Sequence, residues 1–522
     1  MSRPHGEAEE LLLHADVLVA GGGPAGTWAA LAAARAGASV VLVDKGYCGT
    51  SGAAAASNNN VWYVPDPRDY QRHFDERFRS GGGLSERSWT GQVLERVVTQ
   101  LHLLGELGYP FPLAADGGPN RATLRGPDYM RFMRLQIRRA GVTIVDHAPL
   151  VALCRDRADG SVTGAWGERR DGVRWRVAAG ATVLATGGCG FLGGALGTHV
   201  CTGDGHLAAG EVGASFSGME FSNQYGLAAE FSSVTKGLPF VWASYSKRDG
   251  SAIPVDDDDA FVSVAKVLID EPVYAVFDRA SPDIAAVLRG GQANAFLPYD
   301  RLGIDPFTQR FAVGLRLEGT VRGTGGIRLC GVDCATGVDG LYAAGDAASR
   351  EPIVGARTGG GSPNAAWAIA TGSWAGEAAS RFARSRRGHG GATPTRSALS
   401  SHDAYGDTAL ADPRIVRETL AQQVWPLQVN LFREGRRLEE ALRAIDQALA
   451  EPSAAAATTL AAQRSARALL YVARLAYTSA AARRESRGLH RRIDYPQQDL
   501  QAWRQTVAGV ETLELRREPV AA

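Results

Sequence analysis

The first residues able to do chemistry are Gly21-Gly22-Gly23-Pro24-Ala25-Gly26, which fit the spacing G-x-G-x-x-G. They follow a short apolar run, ADVLVA (15–20), and precede an Ala-rich helical stretch from Thr27 to Ala36. In that setting Gly21 permits a tight turn, Gly23 lets backbone approach a pyrophosphate, and Gly26 lets helix pack on strand. The helix N-terminus, with Pro24 and Ala25 at its start, presents free N–H groups and a positive dipole end to phosphates. Asp44 ends the next apolar run, SVVLVD (39–44), and Lys45 follows it. A carboxylate there can accept hydrogen bonds from an adenosine ribose.

These residues must be held by a strand, a turn, a helix and a second strand, the first half of a doubly wound sheet. Two distant segments read as further buried strands ending in glycine: ATVLATGG (181–188), with Thr186 and Gly187, and GLYAAGD (340–346), with Gly345 and Asp346. A nicotinamide-only dehydrogenase has no need of these returns. They suit FAD, whose ribityl chain or pyrophosphate bonds an acid at such a strand end. The sheet is therefore interrupted, and the expected fold is α/β: a two-part Rossmann-like FAD-binding domain with an inserted α+β cap domain and a C-terminal helical domain. The boundaries read as 1–220 and 325–385 for the two FAD-binding parts, 221–324 for the cap, and 405–522 for the helical domain.

Composition narrows the alternatives. Across 522 residues, 56 Lys+Arg nearly balance 55 Asp+Glu, so no overall field draws in nucleic acid or an anionic membrane. The 63 glycines gather in GGG, GG and GxG clusters without a repeat, as expected where backbone approaches a ligand. No apolar run is long enough to span a membrane, and no secretory signal is visible. Six scattered cysteines point to a reducing cytoplasm, and the close pair Cys330 and Cys334 reads as structural. No metal site is expected; Asp256 to Asp259 read as a solvated loop. Residues 379–409 read as an exposed linker, 411–484 as helical, and the tract at 454–462 as a helix-terminal loop.

Further motifs carry a family resemblance. Thr202-Gly203-Asp204-Gly205-His206, Gly213-Ala214 with Met219-Glu220-Phe221, GGI (325–327), GLYAAGD and ARTGGGS (356–362) occur in that order. Near the end come Ala482-Arg483-Arg484-Glu485-Ser486-Arg487-Gly488, His490, Arg492 and Asp494-Tyr495-Pro496. Together they resemble the flavoprotein subunits of succinate dehydrogenase and fumarate reductase, with L-aspartate oxidase and the adenylylsulfate reductase flavoprotein. The resemblance implies FAD. Relatives that attach it covalently use a histidine just after the second strand. The stretch Tyr47 to Ala53 has none, so non-covalent FAD is expected, with Thr50, Ser51 and Gly52 as pyrophosphate donors. Cys48 is the one thiol there that could form a thioether. Asp204 falls in the TGDG segment, and His206 reads as a structural or flavin contact.

The same resemblance places Arg357 where the family clamps a substrate carboxylate, and Ser362 and Pro363 beside the flavin pyrimidine. Two family histidines are missing: Tyr225 stands at one, and the other segment reads Val321-Arg322-Gly323-Thr324. Tyr225, as proton donor or hydrogen-bond anchor, Arg322 and Arg357 are thus the candidate catalytic residues, and succinate or fumarate is an improbable substrate. Trp242 and Tyr245 could line a substrate pocket or pack the cap core, and Glu220 reads as a satisfied interior carboxylate. The expected function is hydride transfer between a small substrate, anionic or neutral, and flavin N5. The alternatives are an electron-transfer subunit with a separate iron–sulfur partner, and a flavin scaffold without catalysis. A homo-oligomer is possible. Substrate, acceptor, direction and oligomeric state are not legible.

Overall fold

The computed structural model describes residues 10–520 apart from 115, 236, 256–259, 359, 389–409 and 452–457. The acidic run, most of the proposed linker and the first part of the 454–462 tract lie outside the described residues.

Strand β1 (Glu10–Ala20) is apolar at its C-terminal end, where Val17, Leu18 and Val19 are fully buried. It lies between two parallel neighbours, β2 (Val40–Val43) and the strand Arg174–Leu184, with Val19 opposite Leu42 and Val183. Such continuous apolar runs are what a parallel strand covered on both faces requires. The far edge of Arg174–Leu184 is shared. Its first half pairs antiparallel with Val162–Glu168, and its last residues pair parallel with Leu341–Ala343, Tyr342 opposite Val183. Chain from two distant regions thus closes one sheet, and its glycine-bearing strand ends meet.

Helix α1 (Pro24–Arg35) packs on the long helix Ser362–Gly388. A Cβ at Gly372 would stand 2.4 Å from Ala25 O, and one at Gly376 would stand 2.2 Å from Ala29 O. The two helices therefore touch backbone to backbone, which only glycine facing alanine allows. This long helix corrects the linker expectation over 379–388. Ala379 and Ala383 are buried against the sheet, while Arg384 and Arg386 reach out to Ala36 O and Ser161. Arginine on the outer face made a buried helix look like exposed chain.

A second, antiparallel sheet runs Gln224–Ala229, Phe311–Gly319, Val273–Val276, Ser244–Ser246, with the helices Ala260–Leu268, Pro282–Gly291 and Ala293–Leu302. It has its own aromatic core around Phe277, Tyr299 and Phe311. Trp242 and Tyr245 belong to that core; the Tyr245 hydroxyl donates to Phe240 O at 3.3 Å.

The C-terminal helices Pro413–Gln423, Gly435–Ala450 and Leu460–Ala482 are followed by a hairpin, Trp503–Ala508 and Glu514–Pro519. The hairpin adds to Ser215–Ser217, itself paired with Gly326–Ile327. A buried charge cluster fastens this module. Arg483, fully buried, pairs with Glu220 at 2.8 Å and Glu485 at 2.5 Å, and Glu485 also holds Arg487 at 2.9 Å. His490 Nε2 lies 3.0 Å from Arg483 O, which only an N–H can satisfy. Its Nδ1 then accepts from Arg433 at 2.7 Å, so the ring is neutral. Burial first, then Arg433, holds its pKa well below the ordinary histidine value. Among the described residues no helix is long and apolar enough to cross a membrane.

Candidate active site

One cavity of about 820 Å³ runs from the glycine-bearing strand ends to the cap sheet. Gly21, Gly23, Pro24, Ala25, Asp44, Lys45, Ser51, Gly52, Thr186, Gly187, Asp204, Gly345 and Asp346 all line it. Its size sits in the upper part of the range for small-molecule sites, about 300–1,000 Å³.

The first loop is shaped to receive a ligand. Gly21 has φ +108°, and a Cβ there would stand 2.1 Å from Ala185 O. At Gly23, by contrast, a Cβ would meet nothing within 4 Å. Gly23 caps α1 without a side-chain hydrogen bond, so the first-turn N–H groups keep their donors. Asp44 braces the walls: Oδ2 accepts from Gly22 N at 2.5 Å, and Oδ1 from Gly46 N at 2.7 Å and Ser51 Oγ at 2.8 Å. Lys45 Nζ bonds Asp204 at 2.8 Å, Thr202 at 2.6 Å and Ser465 at 2.7 Å. Burial opposes ionisation of Asp204, but Lys45 more than offsets it, leaving the carboxyl below its ordinary range. Asp346 Oδ1 accepts from the buried Arg350 at 2.5 Å. Three buried polar atoms of the lining, Thr186 Oγ1, Asp204 Oδ1 and Asn364 Oδ1, have no protein partner. An open glycine cradle, a free helix N-terminus and these orphaned atoms fit a dinucleotide.

Other expected contacts fall elsewhere. Thr50 is not part of the lining; it is exposed, its hydroxyl 3.5 Å from Tyr47 O. Ser362 and Pro363 do not line the cavity either. They start the long helix, with Ser362 O accepting from Trp62 N at 3.1 Å, and the wall is formed by Gly360, Gly361, Asn364 and Ala365 beside them. Cys48 is buried behind the loop with Sγ 3.5 Å from Gly22 O, and burial, then Asp44, pushes its thiol up to about 12. Cys48 is not part of the lining.

Of the catalytic candidates, Tyr225 and Arg322 line the cavity and Arg357 does not. Arg357 is exposed and absent from the lining, its backbone carbonyl accepting from Thr324 Oγ1 at 2.8 Å. Tyr225 lines the cavity, but its hydroxyl donates to Val424 O at 3.3 Å and Trp425 O at 3.2 Å. Neither acceptor faces the cavity; the hydroxyl ties this strand to the C-terminal module, and burial raises the phenol far above its ordinary value. Arg322 does line the cavity, with Nη1 3.0 Å from Glu318 Oε2. His206 is fully buried, stacked on Phe216 with ring centroids 6.1 Å apart, and outside the lining.

Several lining residues escaped the sequence reading: Glu318, Thr235, Gln224, Asn294 and Asn364. Glu318 had a signal, since an acid four residues before Arg322 is its natural counter-charge. The amides had none. Asn294 reaches them by folding the cap onto the loop, where it donates to Ala56 O at 3.2 Å, while Asn58 donates to Gly291 O.

Fold and site define an FAD-binding protein of two-part Rossmann-like design. An FAD binding domain model matches residues 16–225, and a fumarate reductase flavoprotein C-terminal model matches 417–522. The chain belongs to the succinate dehydrogenase and fumarate reductase flavoprotein family, which also holds L-aspartate oxidase and adenylylsulfate reductase. An L-aspartate oxidase of Streptomyces coelicolor is 29% identical over 240 residues, 42% of this chain and 41% of that protein. The match thus spans less than half of that curated relative. In fold, the chain is similar to an E. coli quinol fumarate reductase FrdA variant (TM-score 0.80, 20% identity, covering 98% of this chain and 97% of that one). It is also similar to adenylylsulfate reductase from Archaeoglobus fulgidus (TM-score 0.72, 18% identity, covering 99% and 97%).

Proposed function

We propose that this chain is a dehydrogenase or oxidase that holds FAD non-covalently at the glycine end of the cavity and a small substrate at the cap end. The observation that carries the reading is the continuity of the cavity from the α1 N-terminus to Glu318 and Arg322. FAD supplies a two-electron acceptor when bound. The chain's own residues do the rest. The α1 N-terminus takes the pyrophosphate and Asp44 the adenosine ribose. The N-terminal turn of Ser362–Gly388 would set its positive dipole end against the flavin, favouring the negative charge that the ring carries when reduced. The cap closes over the substrate through Asn58 and Asn294, excluding water. The domain division that goes with this reading is FAD-binding parts at 1–220 and 325–385, a cap at 221–324 and a C-terminal module at 405–522.

Gly23→Val tests the cofactor site directly. The added side chain enters open space and extended backbone, so the flavin-free variant should unfold at the wild-type temperature while flavin content falls at least about tenfold. A variant that stays fully yellow would place FAD elsewhere. Acid denaturation of the wild type should release all its flavin, and flavin retained on the polypeptide would overturn the non-covalent reading. Substrate turnover with peroxide formation by the purified chain supports a stand-alone enzyme. Turnover only with an added iron–sulfur polypeptide would replace it with an electron-transfer subunit.

A further inference from the structure

The cap end of the cavity is polar without being charged overall. Its walls are Leu196, Val200, Leu227, Leu238, Phe240 and Phe261. The ionised groups there, among the described residues, are Glu318 and Arg322, and they are paired. Glu318 is 2% exposed; Oε2 takes Arg322 Nη1 at 3.0 Å, and Oε1 takes the Thr235 hydroxyl at 2.8 Å. Lys45 in the lining is matched by Asp204, and Arg125, paired across strands with Asn58, is solvent-exposed, as is Asp128. The remaining polar groups of this end are uncharged, carboxamides such as Asn58, Gln224, Gln292, Asn294 and Asn364 among them.

A carboxylate brought against Arg322 would meet a buried carboxylate already holding that guanidinium, and would lose water without gaining a buried counter-charge of its own. A neutral oxygen meets no such opposition. Arg322 bonds Glu318 and Thr235 O through Nη1, leaving its other N–H groups as donors. An apolar body would cover the aliphatic and aromatic wall.

We infer that the cap end takes an uncharged substrate, an apolar body bearing a carbonyl or hydroxyl oxygen, with Arg322 as its hydrogen-bond donor and Glu318 as the group that rejects carboxylates. This names the substrate class of the proposed enzyme and rests on that reading for where the substrate meets the flavin.

Acetylcyclohexane and cyclohexanecarboxylate, alike in shape and different in charge, are the probes, with succinate as a third. Calorimetry on the yellow protein should show the ketone binding at least about tenfold tighter than either carboxylate. The ketone should also perturb the visible flavin band. Glu318→Gln unmasks Arg322 and should narrow or reverse the preference by about tenfold or more. Arg322→Gln should weaken the ketone without helping the carboxylate, which keeps the test alive if Glu318→Gln does not fold. Equal or tighter binding of a carboxylate to the wild type overturns the inference. So does binding of neither ring probe, or an Arg322→Gln loss confined to the carboxylate. A colourless protein that still binds the ketone would sink the flavin reading and leave this one standing.

Discussion

Glu351 is 1% exposed and its Oε1 has no hydrogen bond. Burial pushes its carboxyl up to about 7, with Arg504 pulling against the shift and Glu220 adding to it. The folded chain therefore holds this proton more tightly than the unfolded chain does. The stabilisation is complete below the unfolded value near 4.5 and is lost as pH rises through about 7. Glu351→Gln should remove that loss, so the variant gains on the wild type between those values, by up to about 3 kcal/mol. Urea unfolding at a series of pH values measures it, and parallel curves for the two proteins would contradict it. His206 works in the opposite sense: burial lowers it to about 4, so its share of stability is lost as pH falls from 6.5 through 4. Arg483 is held at both ends, by Glu220 and Glu485. Arg483→Met would strand the buried Glu220 and leave Glu485 to Arg487 alone, and should cost about 3–5 kcal/mol in the same assay. At this scale the sequence showed that Glu220 is an interior acid but not which cation meets it. That pairing joins residues 263 apart in the chain.

Elements were more legible than residues. β1, α1 and β2 follow from apolar runs broken by glycine, because a parallel strand and its helix are local patterns. The long helix Ser362–Gly388 was not fully legible. Its buried residues are mostly alanine, glycine and serine, with Trp367, Ile369 and Trp374 among them, and small residues give little periodic signal. Those same residues let it touch α1, so Gly376→Leu should overpack the crossing and lower stability by about 1–3 kcal/mol or more. A melting temperature within error of the wild type would show that the helices can part without penalty. The hairpin Trp503–Ala508 with Glu514–Pro519 was missed for a different reason. Its outer strand is exposed along its whole length, so alternation of apolar and polar residues never develops.

The whole molecule is tied together by contacts distant in sequence: the cap folded onto the Ala56–Asn58 loop, the hairpin on Ser215–Ser217, and Tyr225 on the turn at Val424 and Trp425. Removing residues 501–522 should therefore lower the melting temperature of the entire protein in one transition. A separate, early transition confined to the C-terminal helices would show that the module is only loosely attached. The architecture itself was legible from the order of motifs, since strand ends that share a ligand must converge. The inner surface of the cavity was not, because it is made where separate layers face one another.

The strand Leu341–Ala343 enters the sheet beside Arg174–Leu184 only after the whole cap sequence has intervened. During synthesis, the nascent chain can lay down β1, α1 and β2 early, but Gly345 and Asp346 emerge from the ribosome much later. The nucleotide would thus be captured late in the life of the growing polypeptide, after the cap has had time to form its own core. Until then the half-built cradle exposes the apolar edge that Leu341–Ala343 will cover, and that interval is when the chain is most open to aggregation.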